Sequence, residues 1–164
     1  RVTNDFTSAP RIHRRVLDPS SGGVREEQVC DVVVEFPRLN EKLAGAPHRF
    51  CYGLEMDPMT EPGPPAFAQR LFKVDTREGN AEVLEMSADT HPGEPVLAAS
   101  RDGAENEGWV LTLSHDTASG KGELLVIDAR DFSASPVARV KLPVRVPKGF
   151  RGGWVPGEAF VYEG

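Results

Sequence analysis

The chain has 164 residues, 39% hydrophobic and 27% charged, which is the range of one ordinary globular domain and neither disordered nor fibrous. Its net charge of −6 argues against a nucleic-acid partner, because phosphate neutralisation needs a surplus of Lys and Arg on some face. No run approaches the roughly 18 apolar residues of a membrane span, and no signal-peptide pattern opens the chain, so neither a transmembrane segment nor a leader is expected.

Arg1-Val2-Thr3 opens the sequence without an initiator Met, a helix cap or an obvious first element. It reads as a segment cut from something longer, with its function shared with the missing part. The 16 Gly and 14 Pro are spread between short apolar runs, which predicts many turns and few long helices. Ile12 to Val16 is expected as a short strand ahead of a turn at Asp18 to Gly23. The basic cluster Arg11 to Arg15, interrupted by Ile12 and His13, reads as a solvated face or a strand of alternating exposure. A second strand is expected at about Gln28 to Phe36, where Val32-Val33-Val34 is β-branched and Pro37 stops the ladder. His48 to Met56 makes a third, closed by Asp57-Pro58. Glu61-Pro62-Gly63-Pro64-Pro65 is a rigid loop and not a domain linker, because strand signals resume at once.

Arg70 to Asp75 and Ala81 to Glu85 predict a hairpin around the five-residue loop Thr76 to Asn80, with Gly79 at a position suited to positive φ. Trp109 to His115 and Glu123 to Asp128 form another pair around a turn-rich stretch from Asp116 to Gly122. Pro136 to Leu142 adds an alternating strand, with Val137, Arg139 and Lys141 on one side and Ala138, Val140 and Leu142 on the other. Antiparallel meanders of this kind build sandwiches, barrels or propeller blades, and no strict repeat, WD40 or kelch signature selects among them. From the residues alone the fold class is all-β. Cys30 and Cys51 lie 21 positions apart without CxxC spacing, so they read as two reduced, largely buried thiols of a cytoplasmic protein.

Several blocks then occur in order. They are Val34-Glu35-Phe36-Pro37-Arg38-Leu39-Asn40, His48-Arg49-Phe50-Cys51-Tyr52-Gly53 and Leu71-Phe72-Lys73-Val74-Asp75. Gly93-Glu94-Pro95-Val96, Ala104-Glu105-Asn106-Glu107-Gly108-Trp109-Val110-Leu111 and Leu125-Val126-Ile127-Asp128-Ala129 follow, and Pro136-Val137-Ala138-Arg139-Val140 runs into the segment Gly149 to Trp154. The ordered set, covering about residues 30 to 156, resembles the C-terminal part of the carotenoid cleavage oxygenase family, which includes the retinal-pigment isomerohydrolase, the apocarotenoid oxygenases and the lignostilbene dioxygenases.

That resemblance implies the last blades of a seven-bladed β-propeller, with residues 1–164 forming a single segment. It implies an iron(II) on the propeller axis held by four histidines, three of them upstream of Arg1, with glutamates outside the ligand shell orienting three of the rings. Glu35 matches one of those glutamates, in the E-F-P block, and Glu94 matches another, in the G-E-P block. A buried carboxylate is costly unless a donor faces it, and a ligand imidazole N–H is such a donor, which also fixes the ring's tautomer. Without that role each would be a solvent-facing carboxylate, Glu35 on an edge strand and Glu94 in a turn.

The pattern departs at one residue. The family closes with G-F-H-G, whose His is the fourth iron ligand, whereas this chain has Gly149-Phe150-Arg151-Gly152. A guanidinium has no lone pair to offer and stays protonated, so Arg151 cannot coordinate iron. None of His13, His48, His91 and His115 replaces it, and no metal ligand is expected from this segment. With the metal absent, Arg151 is expected to pair with Glu35 or Glu94.

For the parent protein, the resemblance implies O₂-dependent cleavage of a conjugated C=C bond in a hydrophobic polyene or stilbene-like small molecule, with Fe(II) as cofactor. The competing expectation is a catalytically silent member or a non-enzymatic β module with a binding role. In either case the segment alone is expected to be inactive, to depend on the missing part of the propeller, and to aggregate without it.

Overall fold

The polar strand Ile12 to Val16 anticipated from sequence is found, slightly shifted, as the first arm of an exposed hairpin. β1 (His13–Asp18) pairs antiparallel with β2 (Gly23–Gln28), every residue of both is exposed, and Leu17 and Val24 face each other at its tip. Cross-strand contacts hold it: ion pairs of Arg14 with Glu27 at 2.7 Å and of Arg15 with Glu26 at 3.1 Å, and His13 Nδ1 at 2.9 Å from Glu26. The basic cluster is therefore a solvated, charge-paired strand. The computed structural model describes residues 9–56, 69–147 and 152–157. Arg151, the Asp57-Pro58 stop and the loop from Glu61 to Pro65 lie outside the described residues.

Two further antiparallel sheets follow. β3 (Val34–Leu39), β4 (Phe50–Glu55), β5 (Arg70–Asp75) and β6 (Asn80–Glu85) form a four-stranded meander in chain order, with a 3-10 turn at Glu41–Leu43 between the first two. β7 (Thr90–Pro92) and β8 (Val96–Ala99) share one edge of β9 (Gly108–Asp116), which continues to β10 (Lys121–Asp128) and β11 (Ala138–Lys141). Because β7 pairs Thr90–Pro92 with the far end of β9 and β8 pairs Val96–Ala99 with its near end, together they act as one interrupted first strand. The described residues thus make an all-β chain of consecutive antiparallel meanders, without an α-helix among them. The first strands of the two large sheets, β3 and β8, touch.

The expected second strand is divided. Gln28 ends β2, Val32 and Val33 fall between strands, and β3 begins only at Val34 and runs past Pro37 to Leu39. Pro37 does not stop the ladder because the register shifts between Glu35 and Arg38, leaving the proline in an irregularity where no partner needs its missing N–H. Val32 is not lost to solvent, since it packs with Ile12 and Val29 against a buried cluster of Cys30, Val34, Cys51, Phe72 and Val74. Cys30 and Cys51 are both free and buried, as expected.

A larger cluster lies between the two sheets. Tyr52, Leu71, Leu84 and Met86 from the first meet Leu97, Val110, Leu125 and Ile127 from the second, with Ala129 and Phe132 closing one end. The Tyr52 and Phe132 rings are tilted with centroids 5.8 Å apart, a favoured aromatic geometry. Burying each of the larger apolar side chains contributes about 1.5–3 kcal/mol. With apolar groups on both faces, β5 buries Leu71 through Asp75 without alternation. Gly79 has the positive φ its loop requires, 73°. At the other edge β11 falls within the strand expected at Pro136 to Leu142, and all four of its residues are exposed.

Candidate functional site

The two candidate glutamates sit at equivalent irregularities of their sheets. Glu35 pairs with Leu54 immediately before the register shift in β3 and is half-buried. The next residue, Phe36, has φ 52°, a left-handed conformation that a bulky side chain adopts at a cost of about 1–3 kcal/mol. Glu94 lies in the break between β7 and β8. Gly93 anchors that break on β9 through its N–H to the Leu113 carbonyl at 2.8 Å, while its own carbonyl accepts the Thr112 hydroxyl at 2.8 Å. In both sheets, then, the carboxylate projects where the first strand departs from regular pairing.

Contact between β3 and β8 brings Glu35 and Glu94 to one open cleft of about 650 Å³, lined also by Phe36, Arg38 and the stretch Pro10 to His13. Glu94 borders a second, more apolar cavity of about 330 Å³, lined also by Val96, Leu111, Leu113, Trp154, His91 and His115.

Glu94 is the better-buried carboxylate, with its side chain 7% exposed. Its Oε1 lies 3.1 Å from Arg38 Nη1, and its Oε2 accepts the backbone N–H of Gly152 at 3.1 Å. Arg38 also reaches Glu41 with Nη2 at 2.5 Å, so one guanidinium spans a buried and an exposed carboxylate. Arg38 stood in the sequence block without an assigned role. Its position three residues after Glu35 and across the irregularity is what turns it toward Glu94, and that depends on the register shift.

A second polar group links the sheets away from the cleft. Glu105 Oε1 accepts the backbone N–H groups of Arg49 and Phe50 at 2.6 and 2.7 Å, and the Glu105 carbonyl accepts Asn40 Nδ2 at 3.0 Å. Lys42 Nζ donates to the carbonyls of Ser100 and Arg101 at 2.9 and 2.8 Å.

The four histidines are dispersed. His13 and His48 are exposed, and His91 faces His115 across the β7–β9 ladder. Among the described residues no three His, Cys, Asp or Glu side chains converge to hold a metal ion. The described residues therefore do not form a metal centre by themselves; what they offer is a buried carboxylate, Glu94, with lone pairs left to accept a further donor. The pairing of Arg151 with either glutamate falls outside the described residues, although its neighbour Gly152 is held directly on Glu94. No helix of the described residues is long and apolar enough to cross a membrane.

Comparison with known proteins follows the same blocks. The family profile described as "Retinal pigment epithelial membrane protein" matches residues 2–156. A carotenoid cleavage oxygenase of Mycobacterium tuberculosis is 35% identical over 152 residues, covering 91% of this chain and 30% of its own length. Apocarotenoid-15,15'-oxygenase of Synechocystis is 28% identical over 156 residues, covering 94% and 31%, and a lignostilbene-alpha,beta-dioxygenase of Sphingomonas paucimobilis is 28% identical over 158 residues, covering 88% and 32%. The solved structure of cobalt-substituted Synechocystis apocarotenoid oxygenase superposes with a TM-score of 0.75 at 27% identity, over 89% of this chain and 30% of that one. The chain thus spans about 30% of the length of these relatives.

Proposed function

Since the chain belongs to the retinal pigment epithelial membrane protein family, that of the carotenoid cleavage oxygenases, we propose that it is the C-terminal part of a non-haem iron(II) dioxygenase. The whole of residues 1–164 is one segment of a seven-bladed propeller, and the substrate is a carotenoid, an apocarotenoid or a stilbene-like molecule. When bound, the iron supplies activation of O₂, and the net reaction adds one O₂ across a conjugated C=C bond to give two carbonyl products. A protein acting on such a molecule in the cytoplasm needs an apolar, water-excluding path for it.

This chain's residues orient and do not coordinate. Glu35 and Glu94 accept the N–H of imidazoles brought by the missing part of the propeller, fixing ring orientation and tautomer. The observation that carries this reading is that Glu35 and Glu94 line one cleft from matching irregularities of two consecutive sheets. Such convergence supports a shared role better than two independent surface glutamates would.

Arg151 favours a second reading, a family member that is catalytically silent or acts as a non-enzymatic binding module, because a guanidinium at the last ligand position cannot hold iron. Metal analysis and polyene cleavage by the full-length protein, beside its Arg151→His variant, separate the two. Iron with two carbonyl products from the unaltered protein supports the dioxygenase. Iron and products only in the variant support the silent member, and a lack of both in the two proteins overturns the oxygenase reading altogether.

A further inference from the structure

We propose that Arg38 is a positioning residue of this site: it fixes the Glu94 carboxylate so that the carboxylate holds the Gly152 amide, and through that amide it seats the chain at Gly152 against the break between β7 and β8. The functional meaning rests on the oxygenase reading above; the latch itself does not.

Three elements meet at Glu94. Its backbone is tied to β9 beside Gly93, its Oε1 faces Arg38 from β3 at 3.1 Å, and its Oε2 takes the Gly152 N–H at 3.1 Å. A carboxylate that is 7% exposed is stable as an anion only with donors on its oxygens, and Arg38, itself 22% exposed, is the charged one here. Removing Arg38 takes away the charged donor that the described residues give this anion and favours its turning toward water. The Gly152 amide then loses its acceptor.

Arg38 acts on Gly152 at one remove, through Glu94.

An ordinary sheet-stabilising role for Arg38 is the competing explanation, and the structure separates the two. Contacts of Asn40, Lys42, Arg49 and Phe50 with the 100–105 stretch dock β3 and β4 on the second sheet without Arg38. The apolar cluster between the sheets does not include it either. Losing Arg38 should loosen the chain at Gly152 and leave the sheets packed.

Amide hydrogen exchange on the full-length protein tests this. In Arg38→Ala, exchange of the peptide containing Gly152 is expected to rise about tenfold while peptides from β4 and β5 keep their rates, as local opening predicts. Arg38→Lys, which retains charge and a donor, is expected to restore most of the protection. Glu94→Gln added to Arg38→Ala is expected to change Gly152 exchange little further. An unchanged Gly152 peptide in Arg38→Ala, or a uniform rise across β3 to β6, overturns the proposal. So does failure to fold of both Arg38→Ala and the milder Arg38→Gln, which would make Arg38 a support of the sheet. Exchange needs no turnover, so lack of polyene cleavage in every protein would remove the oxygenase reading and leave the latch standing, while normal cleavage with an unaffected Gly152 peptide would do the reverse.

Discussion

Gly53 lies directly against Val34, opposite the irregularity of β3. A Cβ placed on Gly53 would overlap Val34 Cγ2 and stand 3.2 Å from the Glu35 carbonyl oxygen. Neither neighbour can withdraw easily, since Val34 is buried in the smaller apolar cluster and the Glu35 carbonyl belongs to the strand. Gly53→Ala is therefore expected to destabilise the protein by about 1–3 kcal/mol, as overpacking does. Chemical denaturation checks the magnitude. A double-mutant cycle with Val34→Ala should show coupling between the two positions, because the smaller side chain relieves the overlap.

Asp75 makes stability acid-sensitive. Its carboxyl is held at about 2, below the usual 3.8, chiefly by the hydrogen bonds from Arg49 and also by the backbone N–H groups of Glu78 and Arg77, against the opposing effect of burial. A carboxyl depressed in the folded state stabilises above its unfolded pKa. That stabilisation is lost as pH falls from about 4 to about 2. Asp75→Asn should lower stability at neutral pH and flatten the acid limb, so that the two denaturation curves converge near the bottom of this window.

How much of this was legible from sequence depends on range. The hairpin at Arg70 to Glu85 and the pair Trp109 to Asp128 were readable because their alternation and turn glycines are local signals. β7 and β8 were not, because three- and four-residue strands broken by Pro92 and Pro95 carry too little periodicity, and only pairing with β9 makes them strands. Glu35 and Glu94 came from motif resemblance and could not be assigned to a common cleft, since that depends on contact between β3 and β8. The partnership of Arg38 with Glu94 spans 56 positions and turns on a register shift that no local pattern announces.

The thiols should be inert in the folded protein. Burial pushes Cys51 up to about 12, with nearby Cys30 adding to the shift, and burial likewise raises Cys30. The thiolate is the reacting species, and at about pH 8 a thiol with that pKa is ionised in roughly one molecule in 10⁴. A chromogenic disulfide reagent is expected to leave Cys51 unmodified under native conditions, with Cys30 slow, and to titrate both on adding denaturant. Rapid modification of Cys51 without denaturant would contradict the burial on which the β3–β6 sheet depends.

Glu105 is expected to be costly to truncate. Its carboxylate satisfies the N–H groups of two successive residues, Arg49 and Phe50, at the point where β4 begins. Glu105→Ala leaves both donors without their acceptor in a partly buried position, and each such loss costs about 1–3 kcal/mol. Glu105→Gln keeps an amide oxygen in the same place and should recover much of that stability, losing only the charge contribution. The order of denaturation midpoints, unaltered protein above Glu105→Gln above Glu105→Ala, is the test. Equal midpoints for the two variants would mean that charge, and not the pair of backbone hydrogen bonds, is what Glu105 contributes to joining the sheets.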